Sequence, residues 1–156
     1  QGLRPQLLRD GNITTALEQL VRHLGSDSVV RINFLSNGDA QRLMSPDIES
    51  NLLRISQEAI TNAMKHSGAS QINVRLSGGP EAVQLAIEDN GHGFDPHVST
   101  LSRGFGLISM QERADRIGGD LTILTKPGAG TKIHLLLPIP RMTKTGEDRS
   151  LGAVHS

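Results

Sequence analysis

Apolar residues recur every three or four positions in three parts of the chain, which is the spacing of amphipathic helices. The first part covers residues 12–25, where Asn12 is suited to cap the helix and Gly25 to end it. The last part covers residues 107–117 and is closed by Gly118. The pattern therefore predicts one helix near the start of the chain and another in its last third.

The longest predicted helix lies between these two and begins at Ser45-Pro46. A serine hydroxyl can cap the first free N–H groups, and proline is tolerated at the first helical position because its missing N–H has no partner there. The helix is expected to run to about His66 and to end at Gly68. Its apolar stripe, which we expect to face the core, consists of Ile48, Leu52, Ile55, Ala59 and Ala63.

Other segments alternate apolar and polar residues with the period of two that is typical of strands. The predicted strands are residues 28–35, 72–76, 83–87, 121–125 and 132–137. Gly78-Gly79-Pro80 supplies a turn between the second and third strands, and the segment 126–130 supplies one between the last two. Strands joined by short turns, with helices between them, predict an α+β fold. We expect a two-layer α/β sandwich in which helices cover one face of a mixed, mostly antiparallel sheet.

Composition and charge narrow the class of protein. The chain has 156 residues, 36% of them hydrophobic, which is in the range of a single domain. Its 16 Lys and Arg balance 16 Asp and Glu, so there is no overall positive field to hold nucleic acid. The absence of cysteine excludes disulfides and thiol catalysis, and no apolar run reaches the roughly 20 residues of a spanning helix. We therefore expect a cytoplasmic domain that holds any anionic ligand at a local site.

Four polar residues are expected to share one face of the long helix, because Glu58, Asn62, Lys65 and His66 stand at positions i, i+4, i+7 and i+8. An amide oxygen is a ligand that Mg²⁺ accepts, and lysine and histidine can contact phosphate oxygens. Polar residues of this kind are also the normal occupants of a solvent-exposed helix face. The helix face alone therefore leaves a site and a solvated surface both open.

Asp89-Asn90-Gly91-His92-Gly93 follows a predicted strand. A carboxylate at a strand end can accept a hydrogen bond from an exocyclic amine, and glycines let a flat ring approach the backbone. An ordinary turn uses the same residue types, so this segment also has two interpretations.

Arg103-Gly104-Phe105-Gly106-Leu107 opens a predicted helix, where free N–H groups and the helix dipole favour a polyphosphate. A single Gly-x-Gly is weak evidence, but its combination with the polar helix face and the acidic strand end predicts a nucleotide site. The chain lacks the G-x-x-x-x-G-K-[ST] pattern of a P-loop and the strand-to-helix context of a dinucleotide fingerprint.

Together these segments resemble the motifs of the GHKL ATPases, whose fold is the Bergerat sandwich. Glu58-x-x-x-Asn62-x-x-Lys65-His66 resembles the N box, Asp89-x-Gly91-x-Gly93 the G1 box, and Gly104-x-Gly106 the G2 box. The segments 57–66 and 106–119 are similar to bacterial sensor histidine kinases of the nitrate-sensor-like class, which signal to helix-turn-helix response regulators. The resemblance covers residues 3–138, because Leu3-Arg4-Pro5 is similar to the end of that family's dimerisation helices.

The resemblance implies that the cofactors are ATP and Mg²⁺ and gives each motif residue a role. Asp89 would bind the adenine amino group, with Thr131 supporting the ring through water. Asn62 would bind Mg²⁺ and, with Glu58, would form the catalytic and metal-binding pair, although Glu58 would alternatively tune the lid. The other residues implied to contact the nucleotide are Lys65, His66, Gly91, Gly93, Phe94, Arg103, Gly104, Phe105, Gly106 and Leu107. Residues 95–106 would form a short ATP lid.

The phosphoacceptor histidine of that family has no counterpart among the six histidines of this chain. Residues 12–140 are therefore expected to be the catalytic ATP-binding domain, preceded at 1–11 by the end of a dimerisation-helix linker and followed at 141–156 by a disordered tail. The domain would transfer phosphate to a histidine on its own dimerisation helices, outside this chain, for relay to the receiver domain of a response regulator. The implied whole protein is a homodimer, and its membrane anchoring stays open. A serine kinase of the anti-sigma type and a nucleotide-sensing module without transfer are the alternatives.

Overall fold

A computed structural model of the chain describes residues 12–41, 44–93 and 106–138. In chain order these residues form α1 (Ile13–Gly25), β1 (Arg31–Gly38), α2 (Pro46–His66), β2 (Gln71–Gly78), β3 (Ala82–Asp89), α3 (Leu107–Arg116), β4 (Asp120–Thr125) and β5 (Thr131–Pro138). The strands make one sheet in the order β1-β2-β3-β5-β4. The pair β1–β2 is parallel and the other three pairs are antiparallel, which confirms the predicted mixed, mostly antiparallel sheet.

One face of the sheet is apolar and covered, and the other is mostly polar. The buried inward side chains of β2, β3 and β5 are Ile72, Val74, Leu76, Val83, Leu85, Ile87, Ile133, Leu135 and Leu137. They form a single core with buried residues from all three described helices. Outward residues such as Arg75 and Glu88 are exposed. The alternation along each strand thus produces the predicted two-layer sandwich, since apolar burial drives the helices onto one face only.

The helix ends agree with the capping residues in the sequence. The Asn12 Oδ1 atom accepts from the Thr15 N–H at 3.0 Å, and the Ser45 Oγ atom accepts from the Ile48 N–H at 3.2 Å. Beyond α2, Gly68 takes the left-handed conformation with φ +66°, which a side chain would strain. The predicted starts of α1 and α2 are therefore confirmed.

The first strand differs from its prediction at residues 28–35. It begins at Arg31, because its parallel partner begins at Gln71 and the two residues are paired in register. Before it the chain turns, with the Ser28 Oγ atom accepting from the Val30 N–H at 2.9 Å. Val29 is fully exposed in this turn. The prediction included it in the strand because β-branched residues are common in strands.

Gln41 connects the two helices that flank β1. Its Oε1 atom accepts from the Ile13 N–H at 2.7 Å, which satisfies a free donor at the start of α1. Its Nε2 atom donates to Glu49 Oε2 in the first turn of α2 at 2.7 Å. One side chain therefore fixes the start of α1 against the start of α2.

Candidate functional site

A cleft opens where the last turns of α2 meet the end of β3, the start of β5 and the start of α3. It is open to solvent on one side. The lining residues are Ala59, Asn62, Ala63, His66, Ser67, Ile87, Asp89, Gly93, Leu107, Thr131 and Ile133. The cleft thus brings together residues from the helix face, the acidic strand end and the last helix, which the sequence predicted to form one site.

Most of the cleft wall is apolar, and a few polar groups stand in it. Alanine, leucine and isoleucine side chains from three elements supply flat apolar surface, while the polar groups come from Asn62, His66, Ser67, Asp89 and Thr131. An apolar slot with a small number of placed polar groups is the usual form of a small-molecule site. The arrangement suits a flat ring that carries a hydrogen-bond donor at one edge.

Asp89 is the acidic group of the cleft and is half-buried. The Gly91 N–H donates to its Oδ1 atom at 2.8 Å. Burial raises the pKa of the Asp89 carboxyl above its ordinary value of 3.8, because the ionised form loses hydration. The backbone N–H groups of Gly91 and Thr131 oppose this rise, as do the charge of His92 and the hydroxyl of Ser67. The carboxylate is therefore held in place by the backbone and still has capacity to accept from a ligand.

Asn90 anchors the loop that follows Asp89. Its Oδ1 atom accepts from the N–H groups of Ser70 and Gln71 at 2.9 and 3.1 Å, and its Nδ2 atom donates to the Ser70 hydroxyl at 2.9 Å. From the sequence alone, this segment could be either an ordinary turn or part of a binding site. The structure shows a turn whose asparagine ties the loop to the start of β2 while its aspartate lines the cleft.

Contacts within the protein explain why residues 91 and 93 are glycine. A methyl group at Gly91 would stand 2.6 Å from the Cβ and Oγ atoms of Ser67. At Gly93, which has φ +66°, a methyl group would overlap the Lys126 carbonyl oxygen and stand 2.9 Å from that of Gly130. Gly93 also lines the cleft. The sequence attributed both glycines to a ligand, and in the structure each is required first by a protein neighbour.

Two of the four polar residues of the long helix line the cleft. Asn62 and His66 line the cleft, whereas Lys65 is exposed and is not among the lining residues. The Glu58 side chain extends from α2 to the start of α3, where a methyl group on Gly106 would overlap its carboxylate. The roles of Glu58 and Lys65 at the site therefore stay predictions. What Lys65 contacts when a nucleotide is bound stays a prediction.

The start of α3, which follows the second glycine motif, forms another wall of the cleft. Gly106 caps the helix in the left-handed conformation with φ +66°, and Leu107 lines the cleft. The first turn of α3, whose leading N–H groups have no partner within the helix, therefore begins at the cleft. Phe94, Arg103, Gly104, Phe105 and the rest of the predicted lid lie outside the described residues, and their roles stay predictions.

Sequence reasoning missed Ser67, which lines the cleft at the end of α2. Its position, five residues after Asn62 and just before the helix-ending Gly68, was the available signal. It also missed the contact of Thr125 with Thr131, whose hydroxyl oxygens are 2.9 Å apart. This contact fixes the Thr131 side chain beside Asp89, which is its register partner.

The described residues hold neither a cluster of metal-ligating side chains nor a helix that could span a membrane. In residues 12–41, 44–93 and 106–138, no three His, Cys, Asp or Glu side chains come together as a metal site. None of the helices in the same part of the chain has the length and apolar character needed to cross a bilayer.

The sequence matches a known family over most of the described chain. The family described as histidine kinase-, DNA gyrase B-, and HSP90-like ATPase matches residues 47–141. The signal transduction histidine-protein kinase/phosphatase DegS of Bacillus subtilis is 37% identical over 140 residues, which cover 87% of this chain and 36% of DegS. The sensor protein VraS of Staphylococcus haemolyticus is 33% identical over 147 residues, covering 94% of this chain and 41% of VraS. The chain thus spans less than half the length of these relatives.

Solved structures share the fold at low sequence identity. The histidine kinase domain of a blue-light activated histidine kinase from Erythrobacter litoralis has a TM-score of 0.67 and 16% identity, covering 82% of this chain and 61% of that chain. The ATP binding domain of PrrB from Mycobacterium tuberculosis has a TM-score of 0.65 and 23% identity, covering 83% and 96%. These likenesses confirm the predicted sandwich.

Proposed function

The chain belongs to the histidine kinase-, DNA gyrase B- and HSP90-like ATPase family, and we propose that it is the catalytic ATP-binding domain of a two-component sensor histidine kinase. The observation that carries the proposal is the shared cleft of Asp89 and Asn62. One residue has the chemistry to select a purine and the other to hold a metal ion. Because they share a cleft, they support the proposal that both ends of one nucleotide would bind within a single site.

The adenine end of the site would be built around Asp89. An ionised carboxylate accepts hydrogen bonds and donates none, so it favours the exocyclic amino group of adenine over the carbonyl oxygen at the same position of inosine or guanine. Ile87 and Ile133 would pack against the ring, since both line the cleft from neighbouring strands. Thr131 would add a hydroxyl beside the carboxylate, held by Thr125.

The phosphate end would lie between Asn62 and the start of α3. The Asn62 amide oxygen would hold Mg²⁺ together with phosphate oxygens and water, and the ion would neutralise charge on the phosphates. The first N–H groups of α3 and the His66 ring would also contact phosphate. The position of Glu58 against Gly106 supports its second predicted role, at the base of the lid, more than a role as metal ligand.

Phosphoryl transfer depends mainly on positioning and charge neutralisation, and a cleft of this kind can provide both. The acceptor would be a histidine on dimerisation helices outside this chain, and the phosphate would pass on to a response regulator. We also propose that the whole protein is a homodimer, as the resemblance in the sequence implies. The nitrate-sensor-like class stays a prediction.

The test is nucleotide binding followed by transfer. The chain is titrated with ATP and Mg²⁺ and then incubated with [γ-³²P]ATP and histidine-bearing dimerisation helices supplied as a second polypeptide. The proposal expects ATP binding and acid-labile phosphohistidine on the helices. Acid-stable phosphoserine would indicate the serine kinase alternative, and ATP binding without transfer to any supplied helix would indicate a sensing module. No ATP binding would overturn the assignment of the site.

A further inference from the structure

The outer face of the sheet, which the helices leave uncovered, has a hollow near its centre. The residues that line it come from β2, β3 and β5, the three central strands. They are Arg75, Ser77, Gln84, Ala86, Lys132 and His134. None of them lines the cleft of Asp89 and Asn62, so the hollow is a separate feature of the molecule.

Ala86 forms the floor of the hollow. Strand pairing places Ala86 directly opposite Arg75 on β2 and directly opposite His134 on β5. Side chains of residues paired in this way stand next to each other on the same face of a sheet. Because alanine is short and both of its neighbours are long, the two longer side chains enclose a gap above rigid strand backbone.

The hollow offers a ligand mainly hydrogen-bond donors. Arg75 and Lys132 are positively charged and have donors only, and the Ser77 hydroxyl can also donate. The Gln84 Oε1 atom lies 2.9 Å from the His134 Nε2 atom, so the acceptor of Gln84 is engaged and its amide N–H₂ is the group left for a ligand. Within the described part of the chain, no carboxylate lines the hollow. Two cations and further donors around one gap are complementary to an oxyanion.

Two carboxylates on the same outer face limit the size of that anion. Glu88 is exposed and is the register partner of Lys132, and Asp120 is exposed at the β4 edge, opposite Leu136. Their negative charge would repel an extended anionic surface laid across the sheet, such as a membrane. A small oxyanion can reach Ala86 between them.

We propose that this hollow is a second binding site, which takes the phosphate group of a small molecule. Arg75 and Lys132 bind the phosphate oxygens from the two strands that flank β3, and Ser77 and Gln84 donate to it from the side. The phosphate is either free inorganic phosphate or the phosphate of a small ester. The site is independent of the nucleotide cleft, and no step of phosphoryl transfer passes through it.

The experiment follows backbone amide shifts of the ¹⁵N-labelled chain by NMR. Inorganic phosphate and glycerol 3-phosphate are titrated separately, and sodium chloride is reduced in step so that the ionic strength stays constant. The proposal expects saturable shifts in the strand segments 75–77, 84–86 and 132–134. Saturation with either compound supports the site, and the tighter of the two identifies free phosphate or an ester as its ligand. Shifts that rise without saturating with both compounds would overturn the proposal.

Three variants separate a built site from the overall charge of the protein. Arg75→Gln should raise the Kd for phosphate by at least about fivefold, because it removes a charged donor from the hollow. Arg31→Gln is the matched control, since Arg31 is an exposed arginine of β1 that does not line the hollow, and its Kd should stay within about twofold of the wild type. Glu88→Gln should lower the Kd by about twofold, because it removes the nearest negative charge on that face. Equal effects of Arg75→Gln and Arg31→Gln would overturn the proposal.

A last titration tests whether phosphate acts from the cleft instead. It is repeated with the cleft saturated by Mg²⁺ and a non-hydrolysable ATP analogue, and the shifts in the hollow should keep the same Kd. Their disappearance would show that phosphate acts from the cleft and would overturn the second site. If the chain does not bind the analogue, the proposed function fails, while the comparison of Arg75→Gln with Arg31→Gln still decides whether the hollow binds phosphate.

Discussion

Asp89 and Asn62 line the same cleft, although one ends β3 and the other lies on α2. The loop after β3 secures this arrangement, because it bonds to the end of α2 through Ser67 and to the start of β2 through Asn90. The cleft is therefore fixed by the protein on two sides, and its polar groups can be tested singly.

Asp89→Asn should weaken ATP binding by at least about tenfold, because an amide N–H₂ would face the adenine amino group where the carboxylate accepted from it. Binding of inosine triphosphate, whose carbonyl oxygen accepts hydrogen bonds, should change less. Isothermal titration with both nucleotides measures the ratio of their affinities. Equal affinities of the wild type and the variant for ATP would remove the adenine assignment.

Asp89→Asn should at the same time stabilise the unliganded chain at neutral pH. The pKa of Asp89 is raised in the folded state, mainly by burial, so the folded chain binds more protons than the unfolded chain between pH 3.8 and the raised value. Stability is therefore lost as pH rises through that window, and the loss persists above it. Urea denaturation of both proteins should show the variant's advantage at pH 7 shrinking as pH falls toward 3.8. An advantage that is equal at all pH values would contradict this account.

Asn62→Ala should remove the part of ATP affinity that depends on magnesium. Titrations with and without Mg²⁺ should differ in the wild type and coincide within about twofold in the variant, because the amide oxygen is the proposed protein ligand. Transfer to supplied histidine-bearing helices should be abolished. Asn73→Ala is the control, since Asn73 is an exposed asparagine on the outer face of β2 and bonds to Asn33. A magnesium effect that survives in Asn62→Ala would remove its metal role.

Gly106→Ala should destabilise the chain by more than Gly118→Ala. Both glycines have positive φ, +66° and +73°, so each substitution carries a backbone cost of about 1–2 kcal/mol. At Gly118 no atom lies within 4 Å of the added methyl group, whereas at Gly106 the methyl group meets the Glu58 carboxylate. Thermal unfolding of the two variants separates the overlap from the backbone cost.

The double variant Glu58→Ala with Gly106→Ala completes that comparison. Shortening residue 58 removes the overlap, so the cost of Gly106→Ala in this background should fall to about that of Gly118→Ala. If the cost is unchanged, the carboxylate does not pack against Gly106 as described.

Local patterns in the sequence predicted the elements well where the cause is local. Ser45 and Asn12 cap their helices as expected, because a cap depends only on residues three positions away. The start of β1 could not be predicted in this way. Its first residue is set by pairing with Gln71, which is forty positions further along the chain.

The motifs of the candidate site could be recognised in the sequence, but the arrangement of their side chains in space could be predicted only in part. The spacing of the polar residues on α2 correctly brought Asn62 and His66 to the cleft. The same spacing could not show that Glu58 meets Gly106, since that contact depends on how two helices pack. Ser67 was not predicted to line the site because serine is common at helix ends. The sequence does not show which loop packs against it.

The glycines at positions 91, 93 and 130 are each demanded by a neighbouring carbonyl or side chain of the protein. The fold therefore requires these glycines whether or not a ligand binds. A related chain that no longer bound nucleotides would still need these glycines for packing. Their presence in a sequence therefore indicates the fold, whereas the ligand is indicated by Asp89 and Asn62.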